Sequence, residues 1–228
     1  MLEIKNLSKS FQELKVIDHL SLTVYEKEIV VIIGPSGCGK STMLNIISGL
    51  LRDYQGMIKK DVEKIGYVFQ EDRILPWLSV YDNIRIVKAE DDRKTIEKLI
   101  KKVGLAGFEN YYPDCLSGGM RQRCAIARAL YYGSSLLLMD EPFKSLDYGL
   151  RKEMLLLLEN IWQTEENTII FVTHDIDEAI AIGHRILVLS NRPARVIKEL
   201  YINRSLENRN CDGGEMLKMK NEIISLIA

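Results

Sequence analysis

The stretch Gly34-Pro35-Ser36-Gly37-Cys38-Gly39-Lys40-Ser41-Thr42 constrains this chain more than any other. The apolar run Ile29-Val30-Val31-Ile32-Ile33 precedes it, and Met43-Leu44-Asn45-Ile46-Ile47-Ser48-Gly49 follows. Strand, glycine-rich turn and helix thus come in the order that a phosphate-binding loop requires. Glycines let successive backbone N–H groups turn inward around an anion with no Cβ in the way. The helix behind them adds unpaired N–H groups and the positive end of its dipole. At this spacing Lys40 reaches the β- and γ-phosphates, and the Ser41 hydroxyl can ligand Mg²⁺. The expectation is a cradle for a nucleoside triphosphate.

Length and charge narrow what such a cradle can serve. A chain of 228 residues buries a real core and reads as one domain with room for an inserted subdomain. Its 31 basic and 32 acidic residues leave a net charge of −1, so no field draws it to nucleic acid or to an anionic membrane. Cys38, Cys115, Cys124 and Cys211 show no close metal-ligand spacing. A cysteine inside the phosphate loop fits a reducing cytosol. No apolar run approaches the ~18 residues needed to span a bilayer, and the N-terminus carries no signal-peptide pattern. Any membrane role is therefore expected to run through a partner.

Taken in order, Leu2-Glu3-Ile4-Lys5-Asn6-Leu7 alternates like a half-buried strand, and Val16 to Val24 reads as short β-like pieces. Phe11 lies between them; from position alone it reads as a hydrophobic plug sooner than as a ring stacked on a base. Ile65 to Phe69 reads as a buried strand ending at Gln70. From about Leu78 to Tyr132 helical periodicity takes over, with Ile96, Leu99, Ile100 and Val103 on one face and Gly104 as a cap. The β-rich core resumes at Leu136-Leu137-Leu138-Met139-Asp140, a run suited to a strand buried on both faces. A helix over Leu150 to Trp162 and strands at Thr168–Thr173 and Ile186–Leu189 follow. The tail from Arg204 reads as a loop around Asp212-Gly213-Gly214, then a short helix carrying Leu217, Ile223, Ile224 and Ile227. The expected division is a nucleotide-binding core over 1–77 and 133–203, a helical subdomain over 78–132 and a tail over 204–228.

Two further stretches carry chemistry. Asp140-Glu141-Pro142 closes a buried strand, and in a parallel sheet the carboxyl ends of strands face the ligand crevice. Asp140 is thereby expected beside the phosphate loop, holding Mg²⁺ through water. Glu141, biased toward an extended backbone by Pro142, can take a proton from a water attacking the γ-phosphorus. Without the phosphate loop, the same pair would read as a solvated acidic turn. Leu116-Ser117-Gly118-Gly119-Met120 opens a helical pattern through Ala125, Ile126, Ala129 and Leu130. In isolation this is a serine-capped helix. Beside a complete cradle, it suggests a second anion site serving the same triphosphate across a dimer.

Together these residues resemble the ATPase subunit of an ATP-binding cassette (ABC) transporter over nearly the whole chain. Gly34–Thr42 resembles the Walker A loop, Leu116–Met120 the signature motif, Leu137–Glu141 the Walker B strand and Ser145-Leu146-Asp147 the D-loop. The resemblance implies an α/β fold: a RecA-like P-loop NTPase core, an N-terminal antiparallel β subdomain and an inserted α-helical subdomain. It implies two subunits bound head to tail, with ATP held between Gly34–Thr42 of one and Ser117, Gly118 and Gly119 of the other, and Asp147 at the same interface. Gln70 matches the Q-loop glutamine, which senses Mg²⁺ and water and connects to the permease; alone it would read as a solvated strand end. His174 matches the switch histidine that contacts the γ-phosphate and supports hydrolysis with Lys40 and Glu141; alone it would read as a loop histidine. Phe11 matches the aromatic of the A-loop, commonly tyrosine, which turns its reading to base stacking without a phenolic hydroxyl.

Finer likeness points to prokaryotic importers. The free-standing ATPase, Met120, His174-Asp175-Ile176-Asp177-Glu178-Ala179 and Arg73-Ile74-Leu75-Pro76-Trp77-Leu78-Ser79-Val80 are similar to that branch. Leu75-Pro76-Trp77 and Leu189-Ser190-Asn191-Arg192-Pro193-Ala194-Arg195 resemble the nitrate/sulfonate/taurine group, which includes thiamine-precursor systems. The partners implied are a second ATPase subunit, transmembrane permease subunits and, indirectly, an extracytoplasmic solute-binding protein. The implied location is the cytoplasmic face of the cell membrane. The long C-terminal domain of sugar-importer ATPases is not expected. A soluble ABC-type ATPase acting on DNA or ribosomes is the competing reading; its coiled-coil insertions or second cassette are not evident, and no nucleic-acid footprint supports it. A subunit that binds without hydrolysing is disfavoured by Lys40, Asp140, Glu141 and His174 together.

Overall fold

The computed structural model describes residues 2–62, 64–144, 146–165, 167–202 and 214–227. Ser145, Cys211 and the expected loop over 204–213 lie outside them. Its centre is a six-stranded sheet in the order β5-β6-β7-β3-β8-β9. These strands are β3 (Ile29–Ile33), β5 (Ile65–Val68), β6 (Leu136–Asp140), β7 (Thr168–Thr173), β8 (Arg185–Leu189) and β9 (Val196–Tyr201). All neighbours run parallel except the antiparallel edge pair of β8 and β9. Every residue of β3, β6 and β8 is buried, which explains why these segments read as continuous apolar runs.

Alternation sorts each run onto two cores. Ile29, Val31, Leu137, Met139, Ile169, Phe171, Ile186 and Val188 face one side. There α5 (Tyr148–Glu165), α6 (Ile176–Ile182) and α7 (Gly214–Ile227) cover them with Met154, Leu158, Ala179, Ile180, Met216 and Ile223. Val30, Ile32, Leu136, Leu138, Ile170, Val172 and Leu187 face the other side. These meet Met43, Leu44, Ile46 and Ile47 of α1 (Lys40–Ser48), and the inner face of a three-stranded antiparallel sheet. That sheet, ordered β2-β1-β4, comprises β1 (Leu2–Phe11), β2 (Leu14–Val24) and β4 (Gln55–Lys60). A third cluster of Val80, Ile84, Ile96, Ile100, Val103, Cys124 and Tyr131 lies among α2 (Val80–Arg85), α3 (Arg93–Lys102) and α4 (Gly118–Tyr131). The helical insert thus has its own core. Side chains cap its helices: Ser79 accepts from Asp82 N, Asp92 from Thr95 N and Ser117 from Met120 N.

Several boundaries differ from expectation. The short β-like pieces over Val16–Val24 belong to one long strand, β2, which bends at His19 with φ +48. Phe11 ends β1 and does not stand between strands. The edge strands β4 and β9 went unread. Phe171 is fully buried, with its ring 5.6 Å from that of Phe143. Phe171→Ala is expected to destabilise the fold by about 3–5 kcal/mol, read as a lower urea midpoint with an unchanged slope.

Candidate functional site

Parallel strands put their carboxyl ends on one edge, and the chemistry-bearing segments leave from that edge. β3 leads into Gly34, β5 into Gln70, β6 into Glu141, β7 into His174 and β8 into Ser190. Topology alone gathers residues scattered over most of the chain.

The phosphate loop is already turned. Gly37 and Gly39 have φ of +74 and +129, values that favour glycine. A Cβ on Gly39 would lie 3.0 Å from Val16, so β2 also requires the absent side chain. Pro35 is half-buried, Ser36 exposed and Cys38 buried, with burial raising the Cys38 thiol pKa and leaving it poorly nucleophilic. Lys40 is buried, and its Nζ donates to the carbonyls of Gly34 at 2.8 Å and Pro35 at 2.9 Å. An ammonium held by loop carbonyls can exchange them for phosphate oxygens. Ser41 and Thr42 follow Lys40 in the first turn of α1 and line a cavity.

Asp140 and Glu141 occupy different surroundings. Burial pushes the Asp140 carboxyl above its ordinary range, against the pull of the nearby Ser41 hydroxyl. Its Oδ1 is a buried oxygen with no hydrogen-bond partner, while Oδ2 lies 3.5 Å from the Tyr67 hydroxyl. A hard cation next to Ser41 satisfies such an oxygen. Among the described residues no group of three or more His, Cys, Asp or Glu could hold a metal.

Glu141 is the meeting point of three basic side chains. Its Oε2 lies 2.8 Å from Lys144 Nζ and 3.0 Å from His174 Nδ1, and its Oε1 lies 3.9 Å from Lys40 Nζ. Burial raises the carboxyl pKa, but the Lys144 hydrogen bond and the charges of His174, Lys144 and Lys40 outweigh it and hold the group below its ordinary value. Its backbone corrects the sequence reading. Pro142 should keep Glu141 extended, yet φ is +42, in the left-handed region. The Glu141 N–H donates to Val172 O at 2.9 Å, and with the side chain held as well, the surroundings impose a conformation costing about 1–3 kcal/mol.

On the far side of the loop, a cavity of about 520 Å³ is lined by Phe11, Ser41, Thr42, Asn45, Tyr67, Gln70 and Asp140 among others. Phe11 is 46% exposed, with Lys9 Nζ 4.7 Å from its ring centroid. Gln70 lines this cavity and a second one of about 450 Å³ that reaches Gly118, Arg121 and Lys144. Ser117, Gly119 and Asp147 line neither cavity. Ser117 and Gly118 are exposed at the α4 N-terminus. Gly119 is buried, and an added Cβ would lie 2.4 Å from Leu150, so this glycine serves packing against α5. Asp147 caps α5 by accepting from Leu150 N at 3.0 Å.

Three contacts at the site were not foreseen. Lys144 bonds the Glu141 carboxylate. Arg121 bonds Asp72 at 2.9 Å, joining the segment after Gln70 to α4. Arg151 bonds Asp175 at 2.6 Å and Leu146 O at 3.2 Å, joining the segment after His174 to the turn before α5. Lys144 could have drawn notice as a cation three residues past a carboxylate; the other two span distances no local pattern encodes.

A phosphate loop on a parallel sheet, an acidic pair closing the adjacent buried strand and a histidine on its carboxylate define a P-loop nucleoside triphosphatase. The ABC transporter family model matches residues 17–144, and the chain belongs to the ABC transporter family, as its ATP-binding and ATP-hydrolysing subunit. It is 41% identical over 227 residues to the aliphatic sulfonates import ATP-binding protein SsuB of Bacillus thuringiensis subsp. konkukian, covering 95% of this chain and 90% of that protein. It is 42% identical over 202 residues to SsuB 2 of Pseudomonas syringae pv. tomato, covering 88% and 87%. Among solved structures, the dimeric post-hydrolysis ATP-binding cassette MJ0796 bound to ADP and Pi superposes with a TM-score of 0.78 at 31% identity, covering 90% of this chain and all of that one. Among the described residues no helix is long and apolar enough to cross a membrane.

Proposed function

We propose that this subunit energises a prokaryotic importer for a small sulfonate-type solute, working as a head-to-tail homodimer beneath a membrane permease. The observation that supports the catalytic part most is the convergence on Glu141 of Lys40, His174 and Lys144. The likeness to sulfonate-import subunits over most of the chain supports the substrate class. In this reading 1–77 and 133–203 form the nucleotide-binding core, 78–132 the helical subdomain and 204–228 a tail.

Phe11 stacks on the adenine, and Gly34 to Thr42 surround the phosphates with N–H groups and the Lys40 ammonium. Ser41, Gln70 and Asp140 would hold Mg²⁺, which when bound neutralises phosphate charge. Glu141 accepts a proton from the attacking water, and His174 holds the γ-phosphate. Ser117, Gly118 and Gly119 of the facing subunit close the site, with Asp147 beside it. Gln70 and the exposed Trp77, 69% accessible, face the permease. The subunit sits at the cytoplasmic face of the membrane, and a solute-binding protein delivers the cargo on the far side.

Lys40→Ala is expected to weaken ATP binding by about tenfold or more, as one charge-assisted contact is lost. Fluorescence titration with a labelled ATP measures this. Undiminished affinity would remove the phosphate-loop assignment. For the cargo, proteoliposomes carrying the permease and this subunit should take up an alkanesulfonate supplied with the binding protein. Uptake of sugars or amino acids in its place would refute the substrate class.

A further inference from the structure

Arg192 reaches the phosphate loop from a connection that contributes no group to the proposed chemistry. It lies between β8 and β9, 155 residues from its target. Its Nε and Nη2 both donate to the Gly37 carbonyl, at 3.0 and 2.5 Å. Gly37 is an exposed glycine at φ +74, so its following peptide can turn over at little cost unless something holds it. A planar trans peptide points its carbonyl and its N–H in opposite directions. Holding the Gly37 oxygen outward therefore turns the Cys38 N–H inward. That N–H donates to Pro35 O at 3.3 Å, beyond the usual range for an N–H···O bond. The same Pro35 oxygen takes the Lys40 ammonium. An anion entering the loop can replace both bonds on donors that already point at it.

The connection itself is firmly seated. Ala194 N donates to Val16 O at 2.8 Å, and Asp18 N donates to Ala194 O at 3.1 Å. Arg195 Nε donates to the Asp18 carboxylate at 2.9 Å. The Ser190 hydroxyl donates to Pro193 O at 3.0 Å and accepts from Arg195 N at 3.0 Å. Arg192 thus acts from a base laced to β2, and a Cβ added at Gly37 would lie 3.2 Å from its Nη2.

We infer that Arg192 is a positioning residue of the phosphate loop: by holding the Gly37 carbonyl outside, it presets the Cys38 N–H for a triphosphate that it does not itself touch. The inference rests on reading residues 34–42 as the ATP cradle. Preorganised donors add affinity by removing an ordering cost at the moment of binding.

The test uses the full chain with the non-hydrolysable analogue adenylyl imidodiphosphate and Mg²⁺. Arg192→Ala is expected to weaken binding about five- to twentyfold, less than the about tenfold to hundredfold worth of a hydrogen bond to a charged group because it acts only through the Gly37 peptide. In steady-state hydrolysis KM should rise more than kcat falls. Arg192→Gln and Arg192→Lys each keep a donor and should both recover part of the loss, which should persist in 0.5 M salt as ~0.5 M screens only longer-range attraction. Unchanged affinity in Arg192→Ala overturns the inference. Recovery by Lys but not Gln, or disappearance of the effect in salt, also overturns it by assigning the effect to charge acting on phosphate. Should Arg192→Ala fail to fold, Arg192→Met against Arg192→Gln decides in the same way. Lys40→Ala run in parallel separates the two failures: if it too binds normally, the cradle reading fails; if only Arg192→Ala binds normally, this inference alone fails.

Discussion

Glu141→Gln is expected to bind ATP at least as well as the wild type while losing turnover by about 10²–10⁴-fold, the contribution of a positioned general base. The amide has nearly the shape of the carboxylate, so the left-handed backbone at φ +42 and the bond from Glu141 N to Val172 O have no reason to change. What changes is charge. A carboxylate oxygen 3.9 Å from Lys40 Nζ becomes neutral, which leaves the ammonium more available to phosphate. Lys144 loses its ionic partner at 2.8 Å, but at 44% exposure that pair contributes little to stability, on the order of 1 kcal/mol or less. Binding by titration and single-turnover phosphate release measure the two arms separately. Release at the wild-type rate would sink the assignment of Glu141, and loss of binding would show that the carboxylate shapes the cradle instead.

What could be read from the chain was whatever is written contiguously. Gly34 to Thr42, Ser117 to Gly119 and Asp140-Glu141 each lie within a few residues, so spacing alone was enough to propose them. The buried strands were equally plain because both faces are covered, as Ile29–Ile33 and Leu136–Asp140 show. Edge strands behave differently. β4, Gln-Gly-Met-Ile-Lys-Lys, is exposed at every position but one, and β9 buries only Leu200 fully, so neither carries a full alternating signal. The left-handed Glu141 was misread because a local rule about the residue before proline lost to hydrogen bonds from β7 and from the site. Arg121, Arg151 and Arg192 went unassigned for a related reason. Their partners are set by which loops the parallel sheet places side by side, and no periodicity records that.

The second large effect is expected at the other end of the composite site. Ser117→Arg should leave ATP binding by a single subunit within about twofold, because Ser117 does not line the cavity beside its own phosphate loop. In the proposed head-to-tail dimer it should abolish ATP-dependent association, since a long cation would then stand where that proposal places the facing subunit's nucleotide against backbone N–H groups. One confound is local: the Ser117 hydroxyl caps α4, accepting from Met120 N at 3.3 Å, and losing a cap costs about 1 kcal/mol. Ser117→Ala removes the cap without adding bulk and isolates that part. Both variants are best read on a Glu141→Gln background, where ATP is held and the dimer persists long enough for size-exclusion chromatography with light scattering. A dimer in Ser117→Ala and only monomer in Ser117→Arg is the expected pair of results. A dimer in both would mean that the α4 N-terminus does not close the partner's site, and that the exposed Ser117 and Gly118 serve only to begin a helix.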